Sequence, residues 1–177
     1  MLTLPLELVS VLALTTLLVL ASWHDLWLRK IPNTLVLWGI FTALVLSLTP
    51  RGIGLVSASL GGLVGLLVFL LLHLFRMVGA GDVKLVAAVG MFVGWPDMAK
   101  VCMAILIAGG LVAIAWAIWT SRWPTVLKNL NTGLMQHIRS GQWPSFGQPL
   151  ISQVSPERIP YALAVGLGTA AYYAVTS

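Results

Sequence analysis

Two of the five acidic residues stand where a carboxyl group can take part in chemistry. Asp25 closes the first long apolar stretch, and Asp82 opens a later one. Two carboxyls held together in a low-dielectric cavity cannot both ionise cheaply, so one keeps its proton while the other is charged. Such a pair supplies a base that takes a proton from water and an acid that polarises a carbonyl group. Brought together by the packing of their helices, the two residues would form an acid–base pair of this kind.

The other acidic residues, Glu7, Asp97 and Glu157, are interpreted as interfacial or solvated. The three histidines, His24, His73 and His137, are scattered along the sequence. His24 either tunes Asp25 or lies at the membrane interface, and the interface is favoured. The histidines share no metal-ligand spacing, and the single cysteine excludes an internal disulfide. No serine-hydrolase elbow or phosphate-binding loop occurs. We therefore expect neither a metal ion nor a cofactor.

The segment after Asp25 has the pattern Asp-x-x-x-Arg-x-Ile-Pro-Asn. It adds Arg29, Pro32 and Asn33 to the residues around the candidate site. We interpret Pro32 and Asn33 as the turn that leads the chain into the next apolar stretch.

The segment Gly-Ala-Gly-Asp-Val-Lys-Leu begins at Gly79 and surrounds Asp82. Gly79 and Gly81 permit positive φ angles and close backbone approach, so we expect an extended substrate strand to lie beside Asp82. The apolar stretch that follows is short for a full crossing, so its helix either starts inside the membrane with Asp82 as its N-cap or is tilted differently. Lys84 either favours the charged form of Asp82 or extends to the membrane interface, and the interface is favoured.

These two segments, followed by an Ile-Pro-Tyr element at residues 159–161, resemble the prepilin peptidases, the Gly-x-Gly-Asp class of membrane aspartyl proteases. The three motifs keep their order, and the resemblance covers the whole chain. It implies that Asp25 and Asp82 are the catalytic pair. The supporting residues that it implies are Gly79, Gly81, Lys84, Arg29, Pro32 and Asn33.

The resemblance is closest to the short form that serves Flp/Tad-type pili. Larger members carry a cysteine-containing N-terminal insertion and also methylate the trimmed pilin, and this sequence shows neither the insertion nor its cysteines. The resemblance therefore implies cleavage without methylation. The substrates that it implies are prepilin and pseudopilin precursors, cut after a glycine where a short basic leader meets an apolar helix.

Two other kinds of function remain open. Glycine-broken helices with an acid at the break also occur in small proton- or cation-coupled transporters. A non-catalytic component of a pilus or secretion assembly is the second alternative. The sequence shows no internal inverted repeat, which disfavours the transporter.

The composition requires lipid around most of the chain. Of 177 residues, 59% are hydrophobic and 8% are charged, whereas a soluble domain carries about 25% charged residues. The mean hydropathy is +0.97. The basic residues are scattered along the sequence and form no patch, so we expect no nucleic-acid partner.

The apolar stretches predict an all-α, polytopic membrane helix bundle of about six transmembrane helices. Their predicted ranges are 4–22, 34–49, 53–75, 83–95, 98–120 and 159–176. Residues 1–177 are expected to form a single integral-membrane peptidase domain. Small residues at four-residue spacing predict close helix packing at Ser57, Gly61 and Gly65, and again at Ala162, Gly166 and Ala170.

The basic residues predict an orientation with the N-terminus outside. Eight of them then fall in inner loops, whereas only Arg51 and Lys100 fall in outer loops. This orientation places both aspartates at the cytoplasmic side of a bacterial inner membrane. The polar stretch at about 121–158 becomes a cytoplasmic loop, in which residues 125–139 are predicted to form an amphipathic helix on the leaflet.

Overall fold

The computed structural model describes residues 6–28, 30–75, 77–119 and 161–176. These ranges contain six helices and no strand, which confirms the all-α class. The helices are α1 (Leu6–Leu28), α2 (Asn33–Ser47), α3 (Leu55–Leu74), α4 (Ala80–Val93), α5 (Asp97–Trp119) and α6 (Tyr161–Thr176). The predicted loop at 121–158, with its amphipathic helix, lies outside the described residues, and so does Arg29.

Three of these helices are long and apolar enough to cross a membrane, over Glu7–Leu28, Leu55–Leu74 and Asp97–Trp116. The shorter helices α2, α4 and α6 have 15, 14 and 16 residues. At 1.5 Å per residue, they extend for only about 21–24 Å. Large apolar side chains such as Leu37, Leu67 and Ile107 are exposed on the outer faces, as expected of surfaces that meet lipid. A helical membrane bundle is therefore confirmed, while six full crossings stay a prediction.

Two helix boundaries near the candidate site differ from the predicted ones. Helix α1 continues past residue 22 to Leu28, because no glycine or proline interrupts it before Pro32. Asp25 therefore lies in the last turn of α1 rather than beyond it. Helix α4 begins at Ala80, three residues before the predicted start at 83.

The glycine stripe of α3 forms a close contact with α4, as predicted. The backbones of Gly61 and Gly90 lie against each other, so that a methyl group on either would collide with the carbonyl of the other. A methyl group on Gly65 would lie 2.8 Å from the carbonyl oxygen of Val86. Because these glycines have no side chain, α4 packs directly on the α3 backbone. Helix α4 also contacts α1, α2 and α6.

The predicted stripe of α6 is wrong after its first member. Ala162 is fully buried, but Ala170 is exposed and Gly166 makes only an ordinary contact with Ser22. The contact surface instead continues through Gly168, where an added methyl group would lie 2.5 Å from the Cα atom of Ile105. Residues four apart drift by about 40° around an α-helix, so a strict four-residue stripe turns away from its neighbour.

The chain divides into two compact units, residues 1–109 with 160–177 and residues 110–159. The candidate site and every contact described below belong to the first unit. In the second unit, the described residues are 110–119, the last turns of α5. A single domain over residues 1–177 stays a prediction.

Candidate active site

Asp25 binds the beginning of α6. Its Oδ2 atom accepts a hydrogen bond of 3.1 Å from the backbone N–H of Ala162. Ala162 is the second residue of α6, and N–H groups in the first turn have no partner within their own helix. The positive end of the helix dipole also favours a carboxylate there. One oxygen of Asp25 is thus held by a backbone group of another helix.

Asp82 binds the beginning of its own helix. It is the third residue of α4 and only 9% exposed, and its Oδ2 atom accepts a 3.0 Å hydrogen bond from the N–H of Gly79. The N–H of Asp82 in turn donates to the carbonyl of Gly79 at 3.1 Å. The N-cap is therefore Gly79, and the alternative with Asp82 as the N-cap is wrong. A carboxylate three residues into a helix reaches back to the N-cap N–H and caps it from inside.

The glycines next to Asp82 do not adopt positive φ, so that part of the prediction is wrong. Gly79 has a φ of −75°, and Gly81 lies within α4. A Cβ atom on Gly79 would lie 3.0 Å from Asp82 Oδ2, so the absence of a side chain there leaves room for the carboxylate. A Cβ atom on Gly81 would lie 3.4 Å from the Cβ atom of Ile31, which is an ordinary packing contact.

Helix α6 contacts both of the helices that carry the aspartates. Ala162 donates its N–H to Asp25 of α1, and α6 also packs against α4, which carries Asp82. Ile31, which follows the end of α1, also contacts Gly81 at the beginning of α4. The end of α1 and the beginnings of α4 and α6 therefore meet at one end of the unit. Both carboxyls lie there, and each is held through Oδ2 by a backbone N–H near a helix N-terminus.

The sequence pattern of the type IV leader peptidase family matches residues 12–118, which is more than half of the chain. The chain belongs to the type IV leader peptidase family. It is therefore a member of a family of proteases. The matched range includes Asp25, Asp82 and the segments around them, but it ends before α6. No curated protein and no solved structure matches the chain.

In this member of the leader peptidase family, Tyr161 lies next to the candidate site. It belongs to the Ile-Pro-Tyr motif, but it was not among the predicted site residues. Its ring meets that of Phe69 edge to face, with centroids 6.1 Å apart. Its hydroxyl group lies over Gly109, where an added methyl group would be 2.6 Å away. This packing holds the start of α6 against α3 and α5. The signal in the sequence was an aromatic residue directly after Pro160, at the start of an apolar stretch.

A side-chain hydrogen bond connects Lys84 of α4 to Asn33 of α2. The Nζ atom of Lys84 donates to Asn33 Oδ1 at 3.0 Å, and both side chains are exposed. Pro32 is the N-cap of α2, and its carbonyl accepts the N–H of Leu35 at 3.1 Å. The interpretation of Pro32 as a turn residue fits this geometry. For Asn33 the interpretation was incomplete, because its side chain also connects the start of α2 to α4.

Two histidines lie next to the segments that contain the aspartates. His24 precedes Asp25, and its Nδ1 atom is buried without a hydrogen-bond partner in the described part of the chain. The Nδ1 atom of His73 lies 2.8 Å from the carbonyl oxygen of Val78, next to Gly79. Among the described residues, no group of three or more His, Cys, Asp or Glu side chains has an arrangement that would hold a metal ion.

Proposed function

We propose that the protein is an intramembrane aspartyl endopeptidase that removes the short basic leader from Flp-like prepilins. Asp25 and Asp82 are its catalytic pair, and the cut is made at the cytoplasmic face of a bacterial inner membrane. The observation that carries the proposal is that both carboxyls lie where the end of α1 and the beginnings of α4 and α6 come together. Each is oriented there by a backbone N–H near a helix N-terminus.

The reaction needs one charged and one protonated carboxyl. The charged carboxyl takes a proton from a water molecule, whose oxygen forms a bond to the scissile carbonyl carbon. The protonated carboxyl donates a hydrogen bond to the carbonyl oxygen and stabilises the charge that develops there. The bond between carbon and nitrogen then breaks, and the leaving amine takes up a proton. Leader and pilin separate as a carboxylate and an amine, so water is the only co-reactant.

The position of Asp25 along α1 fits a bond at the boundary between a basic leader and an apolar helix. Trp23 and Trp27 precede and follow Asp25 by two residues in the sequence. Their rings are stacked on each other at a centroid distance of 5.7 Å. They are 59% and 73% exposed. Tryptophan side chains concentrate where hydrocarbon meets water. The two rings therefore support a position for Asp25 at interfacial depth, where the scissile bond of such a substrate would lie.

The experiment is co-expression of the chain with a Flp-type prepilin, followed by mass measurement of the pilin in the membrane fraction. We expect the pilin to lose the mass of its leader, with a new N-terminus at the leader boundary, and to gain no methyl group. An intact prepilin in membranes that contain the folded protein would refute the proposal. A proton or cation flux in reconstituted vesicles would then favour the transporter.

A further inference from the structure

One peptide group next to the candidate site is hydrogen-bonded at both of its ends. This group joins Val78 to Gly79. The Nδ1 atom of His73 lies 2.8 Å from the carbonyl oxygen of Val78, and the N–H of Gly79 donates to Asp82 Oδ2 at 3.0 Å. A carbonyl oxygen can only accept, so the proton of this bond belongs to Nδ1. A continuous chain of hydrogen bonds thus runs from α3 through one peptide to Asp82.

The peptide lies in the short connection between α3 and α4, where helical hydrogen bonds do not fix its orientation. Helix α3 ends at Leu74, and α4 begins at Ala80. The connection is also held by the N–H of Met77, which donates to the carbonyl of Leu72 at 3.0 Å. Rotation of the Val78–Gly79 peptide would break its two bonds together. A buried polar group that loses its partner carries a large desolvation cost, so these bonds hold the peptide in one orientation.

The first bond also strengthens the second. A donor at the carbonyl oxygen polarises the amide, which makes its N–H a better donor by about 10–30%. The acceptor at the other end is a carboxyl group, and hydrogen bonds to a charged carboxylate are stronger than neutral ones. His73 thus acts on the position of Asp82 Oδ2 without touching it.

We propose that His73 is a positioning residue for the cleavage reaction, acting on Asp82 through the Val78–Gly79 peptide. This inference rests on the proposed catalytic role of Asp82. The imidazole holds the peptide, the peptide holds Oδ2, and the carboxyl plane is thereby oriented toward the scissile bond. His73 itself contacts neither substrate nor reacting atoms in this role.

The first test compares His73→Leu with His73→Asn in full-length protein in membranes, with a purified Flp-type prepilin as substrate. Leucine fills much of the space but has no donor, whereas asparagine places an N–H donor near the position of Nδ1. We expect His73→Leu to lower kcat about tenfold, the effect of one ordinary hydrogen bond, with KM within about twofold of wild type. His73→Asn should recover most of kcat. Leu74→Ala is the matched control, because Leu74 is the next residue and 71% exposed.

The second test acts on the other end of the peptide. Gly79→Pro removes the N–H and suits the φ of −75° at this position. Gly79→Ala keeps the N–H and adds the same Cβ atom, 3.0 Å from Asp82 Oδ2. We expect kcat to be lower for the proline variant than for the alanine variant. His73→Leu should add little to Gly79→Pro, because both break one chain of hydrogen bonds, whereas independent effects would add.

The outcomes separate this inference from the proposed function. If Asp82→Asn is inactive while His73→Leu keeps the wild-type kcat, the positioning role is refuted and the dyad stands. Equal losses in His73→Leu and His73→Asn, at equal amounts of folded protein, would also refute it, because packing alone would explain them. If Asp82→Asn cleaves at the wild-type rate, the dyad is refuted, and the role of His73 with it.

Discussion

The backbone N–H of Ala162 donates a hydrogen bond to Asp25 Oδ2 over 3.1 Å, although the two residues are 137 positions apart. The family match ends at residue 118, so this partner of Asp25 lies beyond the matched range. Helix α6 also packs against α4, the helix that carries Asp82. Helix α6 therefore contributes to the candidate site through the position of its first turn.

The most direct prediction concerns the two carboxyls. Asp25→Asn and Asp82→Asn should each lower cleavage by at least about 10²–10⁴-fold, the contribution of an essential acid or base. Asparagine keeps an oxygen that accepts the N–H of Ala162 or Gly79, so both variants should remain folded in the membrane. Prepilin cleavage is followed by mass at matched protein levels.

Asp97→Asn is the control for the dyad variants. Asp97 lies at the beginning of α5 and is paired with Lys100 at 2.9 Å, and both side chains are exposed. It should cleave at close to the wild-type rate. If either dyad variant retained a tenth or more of wild-type activity, the assignment of that residue would have to be abandoned.

A second prediction tests whether the first turn of α6 holds Asp25 in place. Ala162 is fully buried, so Ala162→Leu should push this turn away from α1 and lower the free energy of unfolding by about 1–3 kcal/mol. Cleavage per folded molecule should fall as well, because the N–H moves away from Oδ2. Ala170→Leu, on an exposed position of the same helix, should change neither quantity. Thermal unfolding in detergent and cleavage in membranes measure the two effects, and equal behaviour of the two variants would contradict the prediction.

A third prediction concerns the contact between α3 and α4. Gly61→Ala should destabilise the protein by about 1–3 kcal/mol, because the added methyl group meets the backbone of Gly90, which cannot rotate away. Gly166→Ala adds the same group inside a helix, but its nearest neighbour is Ser22 Oγ at 3.8 Å. That variant should be neutral or slightly stabilising, since alanine favours helix over glycine. A lower unfolding temperature for Gly166→Ala than for Gly61→Ala would show that the packing has been misjudged.

A fourth prediction concerns orientation. Single cysteines at Lys30 and Arg51, both exposed, report the two ends of α2 in a Cys102→Ala background. Cys102 is buried, so its replacement by a slightly smaller residue should be tolerated. A membrane-impermeant thiol reagent added to intact cells should label the cysteine at 51 and spare the one at 30. The reverse pattern would place the aspartates on the outer side and contradict the proposed site of cleavage.

Much of the helical framework was predictable, because apolar stretches in lipid must form hydrogen-bonded helices. All six predicted stretches correspond to helices in the described residues. Their ends were less predictable. Helix α1 runs through Asp25 because no helix-breaking residue occurs before Pro32. The start of α4 was misjudged because an acidic side chain can cap a helix from its third residue as well as from the N-cap position.

The connections around the carboxyls were not predictable from the motifs. Asp25 accepts from a backbone N–H, and His73 donates to a backbone carbonyl. Main-chain partners leave no pattern in the order of side chains. Glycine is ambiguous in a similar way, because it is found both where the backbone has a positive φ angle and where a neighbouring atom packs closely against the backbone. At Gly79 the close approach of Asp82 Oδ2 is the reason, whereas at Gly81 an added Cβ atom would make only an ordinary contact.

The bond between Asp25 and α6 also has a consequence for biosynthesis. A ribosome makes α1 long before α6, and Asp25 gains the N–H of Ala162 only after the later helix has been made and packed. Until then, one carboxyl of the proposed pair lacks the group that orients it. A nascent chain that has inserted only α1 to α5 would therefore lack the proposed arrangement of its carboxyls. Cleavage would begin only after α6 has been made and packed.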